Sequence, residues 1–299
     1  MNKAFKFRIH PNAQQRELLT KTFGCCRFIY NRMLSDKIAH YEMTGKMLYC
    51  YPSQYKSEFP WLREVDSLAL VGSYNALEAA YRNFFRDQSI GFPHFKSRHR
   101  GHNSYTTNLI NGNIALDDGY LKLPKLGQVK IKQHRQIPDG YRLKSVTISQ
   151  KSSGKYFASI LYEYDLNVQP VTPIDVVGLD FSMPELYVDS NGVNPEYPRY
   201  YRRALVKLAR EQRKLSHCHK GGSNYRKQKL KVARLHERIA NQRADFLHKQ
   251  SRQIANAYDA VCIENLNMKN MARSLKLGKS VHDNGWGMFT TMLGYKLAD

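Results

Sequence analysis

Two apolar runs in this sequence each end in a carboxylate. IDVVGLD (174–180) closes on Asp180, and YDAVCIEN (258–265) carries Glu264 just after VCI. Each run has the length and apolar density of a buried strand. In an α/β sheet the carboxyl ends of adjacent strands form the usual active-site edge. Acids held there suit Mg²⁺ (or Mn²⁺), which prefers oxygen ligands. Two such ions about 4 Å apart can activate water and stabilise the leaving 3′ oxygen of a phosphodiester. The plainer alternative is that each acid is a strand-end carboxylate in solvent or a helix cap, and for two acids alone the readings stand level.

What lies between the acids favours a polyanion. Residues 201–255 hold 16 Lys and Arg against 3 Asp and Glu, a surplus of 13 within 55 residues. Leu205, Leu208, Leu215, Leu230, Leu235, Ile239 and Phe246 mark apolar helical faces, with Gly221-Gly222 between two helices. A charged helix is usually just a solvated face. Sixteen to three is different, because like charges repel unless a polyanion or counterions neutralise them. Arg202, Arg203, Arg226, Lys227 and Arg243 are the candidate nucleic-acid contacts here. His217-Cys218-His219 looks metal-like, but consecutive helical residues point in different directions. No CxxC pair accompanies it, so no zinc site is expected.

The whole chain repeats this bias. Its 299 residues carry 47 Lys and Arg against 25 Asp and Glu, a net charge of +22. Hydrophobic residues make up 42%, too many for a disordered basic tail. No 18-residue apolar run predicts a membrane span, and MNKAFKFRIHPNAQ lacks the apolar core of a secretory signal. Five irregularly spaced cysteines predict a reducing, cytoplasmic setting rather than a disulfide framework.

Residues 3–10, KAFKFRIH, alternate Phe5, Phe7 and Ile9 with Lys6, Arg8 and His10, which predicts a half-buried strand with a basic rim. Residues 13–44 read as helix from the stripe Leu19, Phe23, Cys26, Tyr30, Met33. Residues 66–87 do so from Leu70, Tyr74, Leu77, Tyr81, Phe84, with Asp66 or Ser67 as cap and Gly45 as the first helix's stop. Two such stripes predict a small helical bundle over 12–90. GFPHFKSRHRGHNSY (91–105) interleaves rings with Lys96, Arg98 and Arg100, a pattern suited to stacked bases and phosphates. Residues 106–168 read as strands split by turns at Asn111-Gly112, Asp117-Asp118-Gly119, Asp139-Gly140 and Ser153-Gly154. Within them, 121–137 reads as one alternating segment. Outward Lys122, Lys125, Lys130, Lys132 and Arg135 suggest a small barrel with a nucleic-acid-facing side, which strand 3–10 could join, making the helical part an insertion.

Taken in order, KAFKFRIHPNAQQ, FGCCRFIYN, AYRNFF, GFPHFKSR, LKLPKLGQVKIKQHR, SVTISQKSSGKYFAS, GLDFSM, RKLSHCHKGGSNYRKQKLKVARLHERIANQRADFLHKQS, IENLNM and DNGWGMF run nearly end to end in a sequence that resembles the TnpB proteins of insertion sequences, relatives of compact type V CRISPR effectors. The resemblance implies an α+β multi-domain fold: a β-barrel wedge domain (1–11 and 101–172), an inserted helical recognition domain (12–100), and an α/β RNase H-like (RuvC) domain (173–299). The expected setting is cytoplasmic, meeting the nucleoid through DNA, with a monomer favoured and the oligomeric state left open. The partners would be a guide RNA and target double-stranded DNA, cut beside a short flanking motif. Asp180 matches the family's first catalytic acid and Glu264 its second, both binding Mg²⁺. The family's third acid, an Asp beyond a zinc ribbon of paired CxxC motifs, has no counterpart here. Asp283 and Asp299 are poor substitutes. Two expectations therefore stand: a guided endonuclease serving transposon retention, with two-metal cleavage impaired, and a nuclease-inactive guided DNA-binding protein acting as a repressor.

Overall fold

The computed structural model describes residues 1–98, 102–165, 172–268, 270–271 and 283–298; Arg100 and Asp299 lie outside the described residues. The chain divides into two compact units, Met1–Asn167 and Val168–Asp299.

In the first unit, β1 (Asn2–His10) buries Phe5, Phe7 and Ile9 and exposes Lys6, Arg8 and His10, as its alternation predicts. Helix α1 (Ala13–Thr44) starts with a capping box: the Gln15 N–H donates to Asn12 Oδ1 at 2.8 Å and the Asn12 N–H to Gln15 Oε1 at 3.0 Å. It ends at Gly45 in the left-handed region, φ 67°. Helix α2 (Ser67–Arg86) is capped by Asp66, whose Oδ1 accepts the Leu68 N–H at 3.0 Å. The remaining strands are β2 (Asn103–Asn108), β3 (Ala115–Asp117), β4 (Tyr120–Leu123), β5 (Gly127–Lys132), β6 (Arg142–Gln150) and β7 (Tyr156–Glu163).

These strands form one antiparallel sheet, in the order β2-β6-β7-β1-β5-β4-β3. Strand β1 thus joins the later strands, with Phe5 opposite Ile160 and Phe7 opposite Ala158. Among the described residues the hydrogen-bonded order runs from β2 to β3. One expectation changes: α1 and α2 are not a bundle of their own, for their stripes share one core with the sheet, where Leu19, Met33, Leu70 and Leu77 pack with Phe7, Val129 and Ile148. Helix α2 lies so close to β2 that a Cβ at Gly72 would fall 2.5 Å from the Thr106 carbonyl oxygen. Burying a side chain such as Phe7 or Leu77 contributes about 1.5–3 kcal/mol.

The second unit is built on a three-stranded sheet, β8 (Val176–Ser182), β9 (Leu186–Asp189) and β10 (Ala260–Ile263), ordered β10-β8-β9. The β8–β9 pair is antiparallel and the β8–β10 pair parallel. A parallel pair needs a crossover, and helices α3 (Tyr200–Ser216) and α4 (Ser223–Ala257) lie in it. The start of β8 is pinned by Asp259, whose Oδ2 accepts the Ile174 and Asp175 N–H groups at 3.0 and 3.1 Å. Helix α5 (Trp286–Leu297) packs on α4. Val177, Leu179, Tyr187, Leu247, Trp286 and Phe289 form this unit's core. No helix among the described residues is long and apolar enough to cross a membrane.

Candidate functional site

Strand β8 points Val177 and Leu179 into the core, so Gly178 and Asp180 face the other side. In the parallel register Cys262 pairs with Gly178 and Ile263 with Leu179. One step further, just past the end of β10, Glu264 falls beside Asp180 on the same face. Both acids are exposed, and neither makes an ion pair or side-chain hydrogen bond among the described residues. Neighbouring strands lie about 4.8 Å apart, so two like charges stand side by side, an arrangement a cation relieves.

The acids line a cleft of about 490 Å³ together with Gly178, Val188, Ser190, Cys262 and others. The Ser190 N–H donates to the Gly178 carbonyl at 2.9 Å, and Ser190 Oγ accepts the Gly178 N–H at 3.3 Å, closing the floor. Asp189 also borders the cleft, but its Oδ1 is taken by the Asn191 and Val193 N–H groups at 2.9 and 2.7 Å. Among the described residues no third His, Cys, Asp or Glu groups with the pair. Two hard carboxylate donors, open to solvent and adjacent, fit a divalent cation that keeps several waters.

The basic candidates separate into kinds. Lys130 and Lys132 are exposed on β5, paired with His10 and Arg8 of β1. With Lys6 and Lys122 they cover the outer face of the first unit's sheet. This crowding is felt by His10: its pKa lies below the usual value, first from burial and then from Arg8, Lys130 and Lys132. Arg202, Arg203, Arg226 and Lys227 are exposed on α3 and α4, and Arg98 is exposed after the GFPHFK stretch. Lys96 is different. The residue is exposed, yet its ammonium sits 3.8 Å over the Tyr30 ring, its backbone is tied to the Asn31 side chain at 2.7 and 3.0 Å, and partial desolvation against the ring pushes its pKa down. Arg243 is half-buried, its Cγ and Cδ against Gly285. His217, Cys218 and His219 form no metal-holding group among the described residues.

The sequence reading missed what Asp283 does. It is buried, and its Oδ1 accepts the Tyr201 N–H at 3.1 Å, capping α3 from 82 residues away, while the Tyr197 hydroxyl donates to its carbonyl oxygen. Next to it, Asn284 Nδ2 donates to the Ser182 carbonyl at 2.9 Å. The one signal in the sequence was the polar pair Asp-Asn followed by Gly285, which adopts φ 77° at the head of α5.

Residues 159–275, which contain both acids and the basic helices, match a family described as "Probable transposase". The chain is 33% identical over 308 residues to a Streptomyces pristinaespiralis protein named "Putative RNA-guided DNA endonuclease", an alignment covering all of this chain and 75% of that protein. The chain belongs to the TnpB family. A second TnpB relative, from Escherichia coli and named "Putative RNA-guided DNA endonuclease InsQ", is 33% identical over 98% of this chain and 77% of its own length. Residues 1–46 of this TnpB protein match a family described as "Helix-turn-helix domain", yet in the structure they are one strand and one helix, β1 and α1. The fold is shared with a chain of the solved Cas12f1–sgRNA–target DNA complex, at TM-score 0.57 and 11% identity, over all of this chain and 87% of that one.

Proposed function

We propose that this TnpB protein holds a guide RNA, pairs it with one strand of double-stranded DNA, and cuts that DNA beside a short flanking motif. The observation that carries the reading is the register that sets Glu264 next to Asp180 on one open sheet edge, in a chain whose relatives are named as RNA-guided endonucleases. Residues 1–11 and 101–172 would be the wedge domain, 12–100 the recognition domain and 173–299 the RuvC-like domain. Asp180 and Glu264 would hold Mg²⁺ or Mn²⁺, which when bound supplies Lewis acidity and a more acidic water. The two carboxylates fix where that charge sits. The exposed cations Arg98, Lys130, Lys132, Arg202, Arg203, Arg226 and Lys227 would neutralise phosphates, and so set the register of the nucleic acid without reading its sequence. Lys96, against Tyr30, and the half-buried Arg243, against Gly285, would add further phosphate contacts.

The test has two arms. RNA co-purifying with the protein is sequenced, and its 3′ end identifies the guide. A plasmid carrying the matching target is then incubated with the complex and Mg²⁺. Cleavage by the wild type and none by Asp180→Ala, with RNA still bound, is the expected result. Cleavage unchanged in Asp180→Ala sinks the assigned role. Guide-dependent binding without nicking at any Mg²⁺ concentration would mark a protein acting by occupancy, as a repressor does.

A further inference from the structure

The C-terminal end of α2 carries rings that the first unit's core does not cover. Phe85 is 64% exposed and Phe92 40%. A turn of 3-10 helix, Gln88–Ile90, follows α2, and Gly91 at φ 86° turns the chain so that Phe92 returns to the helix. There the Phe92 ring stands edge-on to Tyr81 and Phe84, its centroid 5.5 and 5.4 Å from theirs. Phe85 lies nearly parallel to Tyr81, at 6.2 Å and 21°. The buried Tyr81 is thus a floor that fixes the orientation of two exposed rings. Cations border them. At 3.6 residues per turn, Arg82, Phe85 and Arg86 share a helix face about 100° wide. Both arginines are exposed, and neither has an ion pair or hydrogen bond among the described residues. The two acids nearest in sequence are engaged: Glu78 pairs with Lys37 at 3.0 Å, and Asp87 Oδ1 accepts the Ser89 N–H at 2.9 Å.

The occupant must offer flat apolar faces to the rings and negative charge to the arginines. An apolar protein surface covers the rings but buries two unpaired charges, which is costly. A duplex brings phosphates but keeps its base faces stacked inside. Unpaired nucleotides bring both a phosphate and an open base face. We propose that Phe85 and Phe92 form a stacking platform for unpaired bases of the bound RNA, with Arg82 and Arg86 on the adjoining phosphates. An apolar patch left open favours aggregation, so its occupant is the nucleic acid held throughout rather than a DNA strand met only at a target. That choice of RNA over DNA rests on the guided reading; the platform itself rests on the rings and arginines alone.

The test uses the full chain freed of RNA in high salt, with binding followed by fluorescence anisotropy. The probes are an oligouridine of about a dozen nucleotides and its duplex with oligoadenosine. Phe85→Leu combined with Phe92→Leu keeps apolar bulk and removes the flat faces. It is expected to weaken single-strand binding about tenfold or more, with duplex affinity and the salt slope unchanged. Arg82→Gln combined with Arg86→Gln instead lowers the single-strand salt slope by about 1.4. Should the double leucine variant fail to fold, Phe85→Leu alone decides, because that ring is mostly exposed; a loss of about fivefold, confined to the single strand, is expected. Leucine variants that leave single-strand binding unchanged, or weaken single strand and duplex equally, overturn the proposal. The source is read from Phe85→Trp in complex with its co-purified RNA. The added emission, beyond that of Trp61 and Trp286, is expected to be quenched before any DNA is present. Quenching that appears only with target DNA overturns the choice of RNA. A protein that carries guide RNA and is indifferent to both leucine changes loses this platform and keeps its proposed function. One that stacks oligouridine but carries no guide keeps the platform and loses both that function and the RNA assigned to it.

Discussion

Asp180 and Glu264 stand exposed and unbonded at one edge of the second unit's sheet, whereas Asp283 and Glu211, in the same unit, are buried and bonded. All four are acids in or beside basic sequence. The difference lies in what each has already been given to hold. Asp283 holds the head of α3. Glu211 of α3 accepts Gln228 Nε2 of α4 at 2.8 Å, with Lys214, Lys231 and Arg210 within 3.9 Å, and so locks the helical hairpin. Among the described residues the exposed pair has no side-chain partner. Engaged acids serve the fold. Unengaged adjacent acids are available for chemistry.

The sharpest way to break that contrast is to remove each kind in turn. Asp180→Ala or Glu264→Ala should lower target cleavage by several orders of magnitude, while thermal unfolding moves by no more than about 0.5 kcal/mol. Loss of folding in either variant would show that the pair is structural after all. Next in size is the effect of the open cations. Replacing Lys130 and Lys132 together by Ala should reduce the salt dependence of RNA affinity by about 1.4 in the log–log slope, roughly 0.7 per lost phosphate contact to a single strand. Lys96→Ala should lower the slope by no more than about 0.7, the share of one phosphate contact. A smaller effect, on stability alone, belongs to Asp283→Ala. It removes a cap worth about 1–2 kcal/mol, seen as a lower Tm with divalent-metal binding at the exposed pair unchanged.

Much of the fold could be read from residues in order. The stripes at Leu19 to Met33 and Leu70 to Tyr81, the Asn12 and Asp66 caps and the Gly45 stop are local signals, and the helices follow them. The acid edge was legible for the same reason: alternation along β8 decides which way Asp180 points, and VCI does so for Glu264. Where the outcome depended on partners distant in sequence, it was not legible. The segment 121–137 is not one strand: Lys125 and Gly127, at φ 64° and 66°, turn it into the β4–β5 hairpin, and a positive φ at a lysine is something no propensity announces. The ring contact of Lys96 with Tyr30, 66 positions earlier, is a pairing of the same kind that sequence order does not announce.

Glu211 supplies the smallest and most specific break. Its carboxyl is held below the usual glutamate range, chiefly by the hydrogen bond from Gln228, against the opposing effect of burial and with help from Lys214, Lys231 and Arg210. A group whose folded pKa is depressed contributes stability that is complete above its unfolded pKa and lost as pH falls through the folded value. With an ordinary glutamate near 4.3, the α3–α4 hairpin should be equally stable at pH 6 and pH 7 and weaken as the pH drops below about 4. Glu211→Gln keeps an acceptor for Gln228 but cannot titrate, so its melting temperature should start lower at pH 7 and fall less on acidification. Parallel pH profiles for the two proteins, measured by far-UV circular dichroism melts, would show that Glu211 is not an engaged acid and would dissolve the contrast with Asp180 and Glu264.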